Sequence, residues 1–266
     1  MRILKENDSF GKDNGMDIVW LTALGVGGAT VIGAVIGLLF KKISHRFSDI
    51  VLAFAAGVML AAAVIGLILP SLSYGGNLSF LITLAGLFAG ALLLYLLDKL
   101  VPHLHKLSGK DQEEHQHNAK LGKVFLFVFA IALHNLPEGI AAGVAFGTGN
   151  TVEAMTVAIG IALQNIPEGM VIIAPMLAAG VSVPKTFLIA AGTGLIEVVG
   201  TFLGFFAVSL STAVLPFALA FAGGTMLYVI SDEMIPETHS HGVESGATFA
   251  LLVGFALMLG VDFYLG

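Results

Sequence analysis

The sequence predicts an all-α polytopic membrane protein of eight transmembrane helices arranged as an inverted 3+2+3 repeat. Three observations predict it. Of 266 residues, 57% are hydrophobic and only 11% charged, less than half the roughly 25% charged residues of an ordinary soluble domain. With a mean hydropathy of +0.94, too few polar side chains remain to cover a water-facing surface, so lipid must cover it. The apolar residues also gather into long runs, and two polar motifs embedded in those runs repeat. The composition excludes other classes as well. A net charge of -6 lacks the clustered Lys and Arg that a nucleic-acid partner requires. With no cysteine in the chain, disulfide and thiolate chemistry are absent, and any metal must be held by His, carboxylate, amide or thioether groups.

The elements follow in order. Residues 1–17 mix Arg2, Lys5 and Lys12 with Glu6, Asp8, Asp13 and Asp17, unlike a secretory signal peptide, which is basic and then apolar. The first apolar run, 18–40, is long enough to cross a hydrocarbon core of about 30 Å as a helix. Seven more follow at 49–70, 79–100, 121–147, 151–178, 184–209, 213–235 and 246–265. Breaks such as Tyr74-Gly75-Gly76-Asn77 and Gly147-Thr148-Gly149-Asn150 separate them. The whole chain, 1–266, reads as one transporter-sized membrane domain with a polar, His-containing loop at 101–122.

Basic loop residues stay on the cytoplasmic side. Lys41, Lys42 and Arg46 lie in the first loop, Lys99, Lys106, Lys110, Lys120 and Lys123 around the third, and Lys185 in the fifth, whereas the second, fourth and sixth loops carry none. An even number of crossings then places both termini outside a plasma (cell inner) membrane.

A carboxylate or imidazolium at mid-membrane costs about 2.5 to 3.5 kcal/mol, and such residues usually face an internal cavity and mark an ion path. The fourth run contains His134-Asn135-Leu136-Pro137-Glu138-Gly139 and the fifth Gln164-Asn165-Ile166-Pro167-Glu168-Gly169. In each, a nitrogen or amide ligand precedes a carboxylate by one helical turn, which places both on one face. Pro137 and Pro167 lack an N–H, so the carbonyls of Leu133 and Leu163 lose their helical partners and become available to a cation, a water or a neighbouring side chain. The sixth run adds Glu197. Three ionised, unpaired carboxylates would cost on the order of 8 to 10 kcal/mol, and no Lys or Arg lies at comparable depth. A divalent cation is the simplest counter-charge, with protonation in its absence as the other way to remove the cost. The bland reading, two Pro-kinked helices using polar residues for packing, does not call for charge. Imidazole, amide and carboxylate together suit Zn²⁺, Fe²⁺, Mn²⁺, Co²⁺ or Cd²⁺ better than an all-oxygen Mg²⁺ or Ca²⁺ cage.

The second run carries Leu52-Ala53-Phe54-Ala55-Ala56-Gly57-Val58-Met59-Leu60 and the seventh Leu219-Ala220-Phe221-Ala222-Gly223-Gly224-Thr225-Met226-Leu227, which differ only at the fifth and seventh positions. Those runs cross in opposite senses, as do the fourth and fifth. Runs 1–3 and 6–8 therefore read as inverted copies around a central pair, the pattern of alternating-access carriers with a site near the midplane.

These residues resemble the ZIP (Zrt-, Irt-like protein) metal-ion transporters, in particular the prokaryotic type. The resemblance covers nearly the whole chain and rests on the HNxPEG and xNxPEG motifs, the helix count and the His-containing loop. It implies transport of divalent metal into the cytoplasm through a binuclear centre on helices 4, 5 and 6. His134, Gln164, Glu168 and Glu138 would receive one ion; Asn135, Asn165 and Glu197, with Glu138 and Glu168 shared, would receive the other. Met59 stands where the family can place a thioether near the first ion, beside the ordinary reading of a core methionine.

His103, His105, His115 and His117 form two HxH pairs in the 101–122 loop, read either as a solvated linker or as weak metal capture after exit. His239 and His241 are read in the same way, with Asp98, Asp232, Glu233 and Glu237 beside them at the inner ends of their helices; Asp262 marks the outer end of helix 8. The 33 glycines mark packing or sliding surfaces. No GxxxxGK[ST] sequence occurs, so transport without ATP is expected, one repeat moving against the other. The partners expected are the metal ion and the bilayer, with a homodimer left open. Two alternatives stand beside this reading: an intramembrane metal-dependent hydrolase, disfavoured by the lack of an H-E-x-x-H motif, and a proton or monovalent-cation carrier.

Overall fold

The computed structural model describes residues 12–40, 44–74, 76–107, 116–240, 242 and 244–265. They form eight long rods: α1 (Lys12–Leu39), α2 (His45–Tyr74), α3 (Ser79–Leu107), α4 (Gln116–Ala145), α5 (Thr151–Ala178), α6 (Val183–Leu210), α7 (Leu215–Thr238) and α8 (Glu244–Leu265). All but α4 are counted long and apolar enough to cross a membrane, seven in all among the described residues. The predicted all-α polytopic architecture therefore holds. α3 and α4 extend past their apolar runs into the 101–122 segment, because helix propensity does not end where lipid does. The center of that segment, 108–115 with His115, lies outside the described residues, as do His241 and the side chains of His103, His105 and His117.

Turn chemistry explains the break between α4 and α5. Gly149 adopts φ 73°, a left-handed conformation that costs glycine nothing. Asn150 then caps α5, its side-chain oxygen accepting from the Val152 and Glu153 amides at 3.0 and 3.4 Å. Two rods contain an under-wound stretch: α2 is π-helical over Ala62–Ile68 and α7 over Ile230–Met234. Such single turns of wider helix recur at functional sites because they re-aim the side chains that follow.

The repeat is visible atom by atom. A Cβ on Gly57 of α2 would overlap the Leu251 carbonyl oxygen of α8, and one on Gly224 of α7 would overlap that of Leu87 in α3. Gly254 meets the Phe54 carbonyl and Gly90 that of Phe221. The same shift in numbering that carries Gly57 to Gly224 carries Phe54 to Phe221. In the middle, Gly33 abuts the Ile166 carbonyl as Gly200 abuts that of Leu136, and Gly169 abuts the Thr30 carbonyl as Gly139 abuts that of Glu197. α1–α3 and α6–α8 thus make equivalent contacts, with α4 and α5 exchanging roles.

Dense packing does not follow the repeat boundary. α1, α4, α5 and α6 pack together through α4–α6, α1–α5 and α1–α6, while α2, α3, α7 and α8 pack together through α3–α7 and α2–α8. The two four-helix units meet chiefly where α2 touches α5 and α4 touches α7. Each repeat contributes helices to both units. The fully buried Met59, Leu67, Ile161, Leu219 and Met226 belong to the main apolar core.

Candidate metal site

Both proline-bearing helices run unbroken through their motifs, with Pro137 inside α4 and Pro167 inside α5. The helical register then turns His134, Asn135 and Glu138 from one side, and Gln164, Asn165 and Glu168 from the other, into the seam between α4, α5 and α6. All six are buried, as is Glu197 of α6. Seven polar side chains in the interior of a protein this apolar need partners, since each unsatisfied group costs on the order of 1 to 3 kcal/mol and a charged one more.

The seam divides into two halves. In the first, the carboxylate of Glu197 is well partnered. Its Oε1 accepts from Thr30 Oγ1 of α1 at 2.6 Å and from Asn135 Nδ2 at 2.6 Å, and its Oε2 accepts from Asn165 Nδ2. Asn165 Nδ2 also donates to the Val26 carbonyl oxygen at 3.2 Å. The second half is open. Neither oxygen of Glu138 has a well-formed hydrogen bond, although the Gln164 amide faces it, and both polar atoms of Gln164 are in the same condition. The side-chain oxygens of Asn135 and Asn165 are likewise buried without a partner. Unpaired buried acceptors on adjacent helices fit a cation whose coordination would satisfy them.

A cavity of about 520 Å³ leads to this open half and is bordered by His134, Glu138 and Glu168 at one end and by Asp232, Glu233 and Glu237 of α7 at the other. The π-helical turn of α7 carries Asp232 and Glu233. His134 Nε2 lies 2.8 Å from Glu233 Oε1, and Asp98 of α3 joins them, the three offering ligand atoms within 4.8 Å of one another. Tyr228 Oη donates to Asp232 Oδ2 at 3.3 Å. Asp232, Glu233 and Glu237 thus share one cavity with His134, Glu138 and Glu168, and Asp98 lies beside His134 and Glu233.

Two further residues singled out in the sequence do not line this cavity. Met59 is fully buried in the apolar core and does not border the cavity. His239 has both ring nitrogens engaged, Nδ1 with the Ile235 carbonyl oxygen at 2.8 Å and Nε2 with Thr248 Oγ1 at 3.2 Å, so it ties α7 to α8. One functional-site residue had no sequence reading, Thr30. Its signal was available in the repeat, where the shift that pairs Gly57 with Gly224 pairs Thr30 with Glu197.

Comparison with known proteins agrees with this geometry. A family described as "ZIP Zinc transporter" matches residues 104–262, which contain both motifs and Glu197. The chain belongs to the ZIP family. It is similar to the zinc transporter GufA of Myxococcus xanthus, 39% identical over 92% of this chain and 98% of that protein. It is also similar to the zinc transporter ZIPB of Bordetella bronchiseptica, at 38% over 90% and 78%, and to the zinc transporter ZupT of Chlorobaculum parvum, at 33% over 89% and 93%. These ZIP relatives span nearly the full length of the described fold.

Proposed function

We propose that this ZIP-family chain carries Zn²⁺, and chemically similar Fe²⁺, Mn²⁺, Co²⁺ and Cd²⁺, into the cytoplasm across a cell membrane that all eight helices cross, with both termini outside. One observation carries the reading. The cavity that ends on His134, Glu138 and Glu168 is bordered by five carboxylates and by no Lys or Arg. Such a chamber concentrates cations and repels anions, and its imidazole, amide and carboxylate donors suit divalent transition metals.

The arriving ion exchanges water for His134, Glu138, Gln164 and Glu168. A second ion is received beside Glu197 by the unpartnered oxygens of Asn135 and Asn165, with Glu138 and Glu168 shared. Release follows the acidic path past Glu233 and Asp98, on the side where the basic loops lie. Neutral amides and carboxylates hold an ion firmly enough to strip its water and loosely enough to release it. Access alternates as α1, α4, α5 and α6 move against α2, α3, α7 and α8, since the contact between those units is sparser than the packing within them. Transport runs on the metal gradient, the membrane potential or a proton gradient, without ATP.

Zn²⁺ uptake into proteoliposomes tests the reading. Glu138→Ala is expected to reduce uptake by more than the roughly 10- to 100-fold that loss of an outer partner of a metal ligand costs. Undiminished uptake by that variant would remove Glu138 from the path and the proposal with it.

A further inference from the structure

The two π-helical turns are partners in the repeat. The shift in numbering that carries Gly57 to Gly224 carries Ala62–Ile68 of α2 onto 229–235 of α7, the stretch that contains the second turn. Their surroundings are opposite. In α7 the turn is open: Val229, Asp232, Glu233 and Met234 border the cavity, together with Ile131 and His134 of α4. In α2 it is shut. Ala62, Ala63 and Leu67 are buried in the main core with Val157 and Ile161 of α5. Helix α5 takes the place against α2 that α4 takes against α7, since the shift from His134 to Gln164 also carries Ile131 to Ile161.

The seal contains one close fit. Gly66 stands where the repeat puts Glu233 in α7, and a Cβ there would lie only 2.6 Å from Val157 Cγ2. The missing side chain lets the valine seat on the widened turn. Farther out, Tyr74 Oη at the end of α2 donates to the Thr148 carbonyl oxygen between α4 and α5 at 3.4 Å. Because α2 belongs to one packing unit and α4 and α5 to the other, both contacts cross the boundary at which the units move. Alternating access requires one route to the site to be closed while the other is open. The open route in this structure is the inner one, past α7.

We propose that the π-helical turn of α2, seated on Val157 through Gly66, is the outer gate of the path and parts from α5 when the cavity beside α7 closes. The outward-facing chamber is then bordered by Ala62, Ile65, Gly66 and Leu67, the repeat partners of Val229, Asp232, Glu233 and Met234. No acid stands on its gate turn, so an entering ion passes that turn uncharged and meets carboxylates at the motifs. The gate rests on the transport proposed above and supplies the contact that each cycle breaks.

A reversible crosslink tests it, because the chain has no cysteine of its own. A Cβ on Gly66 would lie 3.8 Å from that of Val157, inside the roughly 3.5–4.5 Å that a disulfide spans. Gly66→Cys combined with Val157→Cys is expected to form that bond on mild oxidation. Zn²⁺ uptake into proteoliposomes is then expected to fall at least about 10-fold, as for a carrier held facing one way, and to return on reduction. Calorimetric titration with Zn²⁺ is expected to give the oxidised, purified chain an affinity within about twofold of the reduced one, since the binding-competent inner cavity stays open. Full crosslinking with uptake unchanged would overturn the proposal. So would failure of the pair to crosslink, or loss of Zn²⁺ binding in the crosslinked chain. If the pair does not fold, Val157→Cys alone decides. Val157 is buried in this state, yet its cysteine is expected to react with a membrane-impermeant maleimide applied outside during transport, against a parent that carries no thiol; absence of labelling would overturn the proposal. Glu138→Ala separates the two readings: undiminished uptake by that variant removes the metal site, whereas intact uptake by the crosslinked pair removes only the gate.

Discussion

Glu138 and Glu197 are both buried carboxylates in one polar seam, and they are held in opposite ways. Glu197 accepts from a hydroxyl and two amides contributed by three helices; Glu138 accepts from nothing in good geometry and borders a cavity. Burial alone therefore does not distinguish a carboxylate satisfied by the protein from one left open to a ligand. What distinguishes them is the accounting of acceptors: a carboxylate whose oxygens are satisfied by donors has little left for an ion, while one left unsatisfied must meet a proton or a cation. The same accounting separates Asn135 and Asn165 atom by atom, since their nitrogens are satisfied by Glu197 while their oxygens are buried without a partner.

The largest effect that would break this comparison comes from removing one charge at each position without changing shape. Glu138→Gln is expected to reduce Zn²⁺ uptake by more than 100-fold, beyond the roughly 10- to 100-fold range of outer partners, whereas Glu197→Gln is expected to stay within that range. Measured side by side in proteoliposomes, equal losses would mean that hydrogen-bond satisfaction in the free protein does not predict which acid meets the ion.

Much of this was legible in the sequence. The two motifs place His134 one turn from Glu138 and Gln164 one turn from Glu168 by spacing alone, and the apolar runs give eight rods with ends displaced by a few residues. The displaced ends have a physical cause, since a helix persists into polar sequence until capping or a glycine stops it. Thr30 was not legible from its own run, because a single threonine in an apolar helix satisfies itself locally as often as it reaches a neighbour. The π-helical turn that brings Glu233 toward His134 leaves no mark in apolar periodicity. The two packing units are non-local: nothing along α1 indicates that it sits with α4, α5 and α6 and not with its chain neighbours α2 and α3.

The comparison extends to the repeat. If the glycine contacts are equivalent, Gly57→Ala and Gly224→Ala, which press a methyl group onto the Leu251 and Leu87 carbonyls, should destabilise the purified protein by similar amounts, about 1 to 3 kcal/mol each by overpacking. Thermal unfolding measures this. A loss at one position only would show that α2–α8 and α3–α7 are not energetic copies, whatever their geometry. Both variants lie away from the seam, so Zn²⁺ affinity should follow neither.

The smallest expected effect concerns His239, a histidine close to the acidic path yet spent elsewhere. Its Nδ1 lies 2.8 Å from the Ile235 carbonyl oxygen, which can only accept, so the proton sits on Nδ1. Nε2 then accepts from Thr248 Oγ1 at 3.2 Å, whose single proton can otherwise go to the Glu244 carbonyl at 2.8 Å. The ring thus bridges the end of α7 to the first turn of α8, and a metal could claim a nitrogen only by breaking one of these bonds. His239→Ala is expected to cost stability on the order of the 0.5–1.5 kcal/mol that a hydrogen bond contributes net, read as a lowered Tm. Zn²⁺ uptake at saturating metal is expected to stay within about twofold, because a loss of that size from an unfolding free energy of about 5–15 kcal/mol leaves nearly all of the protein folded. A steep loss of uptake with Tm unchanged would return His239 to the exit path and make its bonds to α8 incidental.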